Sequence, residues 1–131
     1  MCGIIGISSN KSVSANIINS LKKLEYRGYD SAGVATLFDG EINEVKSEGR
    51  VDNLEQNFDL KSLKGNIGIG HVRWATHGVP NSINAHPHSS DNVSVVHNGI
   101  IENSTILKKY LINKSHTFKS QTDTEVIVHL I

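Results

Sequence analysis

The chain has one cysteine, one tryptophan and two prolines, and aromatic residues make up 5% of it. A single cysteine excludes an internal disulfide and fits a reducing compartment. Neither sign of charge is in excess, with 13 Lys plus Arg against 13 Asp plus Glu. That balance gives no electrostatic case for nucleic acid or an anionic membrane surface. No apolar run approaches the ~18 residues needed to cross a bilayer. The N-terminus lacks a basic region followed by a long apolar stretch, so no signal peptide is expected. The sequons at Asn10, Asn92, Asn103 and Asn113 are therefore read as chance in an Asn-rich chain. At 131 residues the length suits one ordinary domain.

The lone cysteine stands in the stretch Met1-Cys2-Gly3-Ile4-Ile5-Gly6. Removal of Met1 would place a thiol and a free α-amine on one residue. An unperturbed α-amine titrates at about 7.7–8.0 and a thiol at about 8.5, so such an amine can take the thiol's proton near neutrality. One residue then supplies both nucleophile and base, as in N-terminal threonine nucleophiles. The competing reading is a small buried hydrophobe with an inert thiol.

Hydrophobic spacing predicts a buried strand over 2–8 and a helix over 12–26, capped by Ser12 and stopped by Gly28. Between 26 and 33, Tyr26-Arg27-Gly28-Tyr29-Asp30-Ser31-Ala32-Gly33 reads as an ordered loop. Asp39-Gly40 is a two-residue hairpin signal between strands 33–38 and 41–47. A short helix over 50–58 would turn Val51, Leu54 and Phe58 inward. A strand over 67–74 runs into a polar loop reaching Asp91, and Val93 to His97 is a second strand ended by Asn98-Gly99. A helix over 102–113 carries Ile106, Leu107, Tyr110 and Leu111 on its apolar face, and Phe118 suggests a short strand. Thr122-Asp123-Thr124-Glu125 reads as a capping box opening a helix cut off at Ile131. This element order favours an α+β fold with largely antiparallel pairing.

A thiol that attacks an amide also needs oxyanion donors and groups that hold the substrate. Asn98 and Gly99, at a strand end, can offer a side-chain amide and a backbone N–H, or they can be a plain turn. Arg73 can bind a carboxylate bidentately, or sit in a surface ion pair. Asp123 can hold an ammonium, or be an ordinary first-turn acid stabilised by the helix dipole. Trp74 beside Arg73 reads first as a packing residue. Seven histidines raise the question of a metal. His71, His77, His86, His88 and His97 have no carboxylate or cysteine at ligand spacing among them, so hydrogen bonds that order the loop are the main reading and metal is expected to be absent.

Taken together, Met1 to Gly6, Leu24 to Gly33, His71 to Gly78, Asn84 to His88, Val95 to Asn103 and Thr122 to Val126 resemble one family over the whole chain. They are similar to the N-terminal glutaminase domain of the glucosamine-6-phosphate synthase branch of class II glutamine amidotransferases. The Arg73-to-Gly78 and Asn84-to-His88 blocks separate this branch from its relatives.

The resemblance implies an α+β N-terminal nucleophile hydrolase fold, a four-layer αββα sandwich, here lacking its C-terminal side. It implies catalysis by Cys2, with Asn98 and Gly99 forming the oxyanion hole. It implies L-glutamine bound through Arg73 on the α-carboxylate and Asp123 on the α-ammonium. Thr76 and His77 would close over the substrate, with Trp74 nearby and Arg27 shaping the terminus. No cofactor is implied. The expected partners are the missing C-terminal sugar-phosphate isomerase domains of a cytoplasmic, homo-oligomeric enzyme that opens hexosamine biosynthesis. Neither nucleic acid nor membrane is an expected partner. Two other readings stand beside this: an inactive fragment that keeps the site residues without a competent fold, and a His-rich metal-binding module.

Overall fold

The computed structural model describes residues 1–131. Its larger sheet is antiparallel, with strands in the order β1-β4-β2-β3. These strands are β1 (Gly3–Ser8), β2 (Ser31–Phe38), β3 (Glu41–Glu48) and β4 (Ile67–Arg73). Asp39 and Gly40 close the β2–β3 hairpin with φ of 53° and 78°. Both torsions are positive, as a type I′ turn requires to match the twist of its strands.

One face of this sheet carries the apolar core. Ala32 and Val34 of β2 and Val72 of β4 meet helix α1 (Ser14–Leu24) and helix α2 (Val51–Asn57). Val13, Ile17, Leu21, Val51 and Leu54 are fully buried there. Ile17 and Leu21, with Val51 and Leu54, are the spaced apolar residues that predict the two helices. Burying each such aliphatic side chain contributes roughly 1.5–3 kcal/mol. Gly68 and Gly70 bring α1 down onto β4, because a Cβ at either position would lie 2.6 Å from Ile17.

The opposite face is polar near the site. His71 points from it and stacks on His86, with ring centroids 4.2 Å apart. Beyond His86 lies a second antiparallel sheet of two short strands, β5 (His88–Ser90) and β6 (Val93–Val95). Lys46 Nζ donates to the Pro87 carbonyl at 3.1 Å, and Ser89 Oγ donates to Glu44 at 2.6 Å. These bonds tie β3 to the second sheet. Helix α4 (Glu125–Leu130) packs on β5 and β6, and helix α3 (Ser104–Asn113) packs on α4. The layers run helix, sheet, sheet, helix, which is the expected αββα order.

Several local expectations are corrected. Strand β1 is an edge strand rather than a fully buried one: Gly3, Ile5 and Ile7 turn toward α1, while Ile4, Gly6 and Ser8 are exposed. Ser12 does not cap α1, which begins at Ser14. The chain enters it through Val13, whose N–H donates to Gly65 O at 3.0 Å. Phe58 lies past the end of α2 in extended conformation and is exposed. Of the apolar face read on α3, only Leu111 is buried. No strand forms at Phe118. The 93–97 strand is shorter than expected and pairs with His88–Ser90, a segment whose three polar residues carry no strand pattern.

The capping box does not form either. Thr124 occupies the N-cap of α4 without a side-chain bond, and Thr122 Oγ1 instead meets His88 Nε2 at 2.7 Å. Glu125 does reach back, but to the N–H groups of Lys119 and Ser120, each at 2.7 Å. Burial works to raise the Glu125 pKa, yet the bonds donated by the Ser120 hydroxyl, Lys119 N–H and Ser120 N–H outweigh it and hold the carboxyl below its ordinary range.

Candidate active site

The β1–β4 pairing sets Gly3 opposite Val72, so Cys2 lies beside the chain leaving β4. The Trp74 N–H donates to Cys2 Sγ at 3.2 Å, and Sγ also lies 3.5 Å from Trp74 O. Two donors converge on the Cys2 carbonyl: Arg27 Nε at 2.9 Å and Asn98 Nδ2 at 3.0 Å. The terminus is therefore held from three directions while its thiol remains partly accessible.

The loop from Tyr26 to Gly33 clamps the chain that presents Trp74. Asp30 N–H donates to Arg73 O at 3.2 Å, and its carboxylate accepts from the Ala75 N–H. Gly28 was expected to stop the first helix. It does so one turn late: α1 itself ends at Leu24, a tight turn over Glu25–Arg27 continues the helical run, and the Gly28 N–H caps it by donating to Glu25 O at 3.0 Å. Gly28 also provides room: a Cβ there would sit 2.6 Å from the Arg73 carbonyl carbon and oxygen.

Asn98 and Gly99 follow β6. Gly99 has φ of +145°, a region that side-chain-bearing residues rarely adopt. The Asn98 amide is anchored at both ends. Its nitrogen faces Cys2 O, and its oxygen lies 3.0 Å from His71 Nε2.

Arg73 is 3% exposed. Its guanidinium donates to three loop carbonyls: His77, Gly78 at 3.3 Å and Val79 at 3.3 Å. Asn84 Nδ2 supports the same loop through Val79 O at 3.0 Å. Burial lowers the Arg73 pKa, and the charges of Asp30, Cys2 and Asp123 oppose that shift. No carboxylate makes an ion pair with this cation. Asp123 is 7% exposed, and its Oδ2 accepts from the Ile101 N–H at 2.6 Å. Its Oδ1 has no partner among the chain's hydrogen bonds. Thr76 Oγ1 and His77 Nδ1 lie 3.3 Å apart on the loop.

All nine residues singled out in the sequence line one cleft of about 310 Å³: Cys2, Arg27, Arg73, Trp74, Thr76, His77, Asn98, Gly99 and Asp123. Met1, His86, His97, Ile100, Thr122 and Thr124 complete it. It offers a thiol, an amide donor, a buried cation and a buried carboxylate. Those groups suit a small zwitterion with a reactive carbonyl.

Sequence reasoning missed three contributors. It did not foresee the Trp74 backbone as the partner of the thiol, Asp30 as the clamp on Ala75, or His71 behind Asn98. His71 had a usable signal. It lies two residues before Arg73 on one strand, so the two share a face.

The histidines form a packed layer between the sheets. His86 stacks on His71 and meets His88 edge-on at 4.7 Å. Burial lowers the pKa of His71 and His88 to about 4, and that of His86 further still.

This fold and cleft define an amidotransferase domain with an N-terminal nucleophile architecture. Residues 58–131 match the family described as a glutamine amidotransferase domain, and the chain belongs to that family. Among solved structures, it resembles the glutamine phosphoribosylpyrophosphate amidotransferase from B. subtilis in complex with ADP and GMP. The TM-score is 0.83 at 31% identity, over 99% of this chain and 29% of that one. More particularly, its whole length is similar to isomerizing glutamine–fructose-6-phosphate aminotransferases. It is 56% identical to that of Mesorhizobium japonicum over 131 residues and 59% identical to that of Clostridium acetobutylicum over 133. The chain spans 22% of the length of these relatives.

Proposed function

We propose that this chain forms the glutamine site of an isomerising glutamine–fructose-6-phosphate aminotransferase. It hydrolyses the side-chain amide of L-glutamine and supplies ammonia for making glucosamine 6-phosphate from fructose 6-phosphate. The observation that carries this reading is the convergence of Cys2 Sγ, Asn98 Nδ2, Arg73 and Asp123 on one cleft. The similarity to the named aminotransferases supplies the sugar half of the proposal.

The roles follow from the chemistry of each group. With Met1 removed, the Cys2 α-amine takes the thiol proton, directly or through a water. The thiolate attacks the side-chain carbonyl carbon of glutamine. A C–S bond forms, and the C=O electron pair moves to oxygen. Asn98 Nδ2–H and the Gly99 N–H hold that oxyanion. The intermediate collapses, the C–N bond breaks, and the Cys2 ammonium returns its proton to the leaving nitrogen as ammonia departs. Water attacks the resulting thioester with the amine as base, and glutamate leaves with the thiol restored. Arg73 holds the α-carboxylate and Asp123 the α-ammonium. Thr76, His77 and Trp74 close the cleft, and Arg27 sets the Cys2 backbone.

The sugar-phosphate chemistry belongs to the rest of a longer chain, in a cytoplasmic homo-oligomer at the entry to hexosamine synthesis. The test is glutamate release by the chain prepared to start at Cys2, with Cys2→Ala as control. Release that disappears in the control supports the proposal. Release that persists in Cys2→Ala removes the nucleophile assignment. No release from the unsubstituted chain, with its N-terminus verified, removes the activity from these residues as they stand.

A further inference from the structure

An asparagine amide is useful to an oxyanion in only one orientation. Its Nδ2 can donate, whereas its Oδ1 would repel the developing charge. Nothing within the side chain itself distinguishes the two. The bond from Nδ2 to Cys2 O favours the productive one, but that bond lies at the exposed end of the group. The other end meets His71, which is fully buried.

The geometry points to His71 as a positioning residue: its Nε2–H donates to Asn98 Oδ1 and holds the Nδ2 donor toward the thiol. The inference rests on the proposed role of Asn98 in the glutamine site. Three observations carry it. First, Nε2 lies 3.0 Å from an oxygen that can only accept, so Nε2 must bear the proton. Second, the other ring nitrogen is buried and reaches no partner at hydrogen-bond geometry, although the His97 backbone carbonyl stands close to the ring. A proton on Nδ1 would find at best that poorly aligned carbonyl, and it would set a bare Nε2 lone pair against Oδ1. Third, the ring cannot turn away freely. It stacks on His86 with 16° between planes, and His86 Nδ1 accepts the His97 N–H at 3.4 Å. Burial also keeps His71 neutral well below neutral pH. The support therefore adds no positive charge behind the oxyanion hole. Its contribution is orientation, of the kind that outer-shell groups give to ligands in metal sites.

The assignment is tested on the full chain by two measurements. Long-range ¹H–¹⁵N correlation spectra at neutral pH report which nitrogen of His71 carries the proton. The Nε2–H tautomer is expected, and an Nδ1–H tautomer overturns the assignment. This readout needs no activity, so it judges His71 even if glutamine is not hydrolysed and the functional proposal fails.

The second measurement is kinetic. His71→Phe keeps a flat ring against His86 but cannot donate, and kcat should fall about 10–100-fold, the range typical of outer-shell losses. KM should change less than about two-fold, because the loss falls on the transition state. His71→Gln, whose amide can donate, should recover most of the rate. In an Asn98→Ala background the His71→Phe penalty should vanish, since both substitutions remove the same interaction. An equal penalty in both backgrounds, or a rise in KM at constant kcat, overturns the assignment. If His71→Phe does not fold, the tautomer of the unsubstituted chain decides.

Discussion

The Trp74 N–H donates to Cys2 Sγ at 3.2 Å across 72 positions of sequence. The thiol in turn lies 3.5 Å from Trp74 O, so both polar groups of that residue's backbone meet the sulfur. The bond exists because Gly28 lets the Arg73–Trp74 peptide pass close to the Tyr26–Gly33 loop. Gly28→Ala would push a methyl group into backbone that cannot yield like a flexible side chain. The expected result is a loss of about 1–3 kcal/mol of stability, the usual cost of overpacking. Thiol reactivity should fall with it, as read by the rate of alkylation of Cys2. Unchanged alkylation in a folded Gly28→Ala variant would separate the clamp from the thiol.

Cys2→Ala should abolish glutamine hydrolysis and leave glutamine binding largely intact, because Arg73 and Asp123 are untouched. Calorimetric titration with glutamine, beside an assay for glutamate, checks both halves. Substantial turnover in this variant would remove Cys2 as nucleophile.

Asn98→Ala should lower kcat by roughly 10²–10³ with little change in KM, the pattern for loss of one oxyanion donor. Steady-state kinetics on glutamine decide it. A variant that mainly raises KM would mean the amide binds substrate rather than the transition state.

Arg73 holds the loop in the structure and the α-carboxylate in the proposed glutamine site, so its loss should register in two assays. Arg73→Ala should raise KM for glutamine at least ~10-fold, because a charge-assisted carboxylate contact is lost. It also withdraws donors from the carbonyls of His77, Gly78 and Val79. His77 is half-buried and Gly78 and Val79 are exposed, so water replaces part of what is lost and the melting temperature should drop only modestly. An unchanged KM would leave Arg73 with the loop alone.

Acid should unfold the chain through its histidine layer. His71 and His88 titrate at about 4 in the folded protein, below the ordinary value of 6.5. Between those values the unfolded chain binds more protons than the folded one, so stability must fall as pH falls. The contribution of these two groups is complete above about pH 6.5 and declines toward pH 4, by about 1.4 kcal/mol per unit for each. His86, lowered further, continues the trend. Glu125, held below its ordinary range, adds to it at the acid end. Chemical denaturation at several pH values between 7 and 4 checks the slope, and a flat profile would show that these rings are hydrated.

Much of the chain was legible in one dimension wherever a local rule and the tertiary structure agreed. The spacing of Ile17, Ile18 and Leu21 announced α1, and Asp39-Gly40 announced a hairpin that closes at those two residues. Residue type alone left Cys2, Arg73, Asn98, Gly99 and Asp123 open to plain structural readings; the family resemblance singled out all nine site residues, and one cleft gathers them. The errors fall where long-range contacts override local signals. Thr122 has the pattern of a cap, but His88 competes for its hydroxyl and holds it. His88–Ser90 has no strand pattern, yet it pairs because β6 offers it a ladder. Ile106 and Tyr110 keep helical spacing on a face that nothing in this chain covers.

Residue types and their periodicity therefore indicated most of the elements and an α+β class, since these depend on side-chain character and near neighbours. The family resemblance supplied the four-layer arrangement and the full set of site residues. Which groups touch was settled by folding alone: Trp74 N–H on Cys2 Sγ, and His71 on Asn98. Those pairs are separated by 72 and 27 positions, and no local propensity couples residues so far apart. They meet because strands β1 and β4 pair, and because the two sheets stack through a layer of neutral imidazoles.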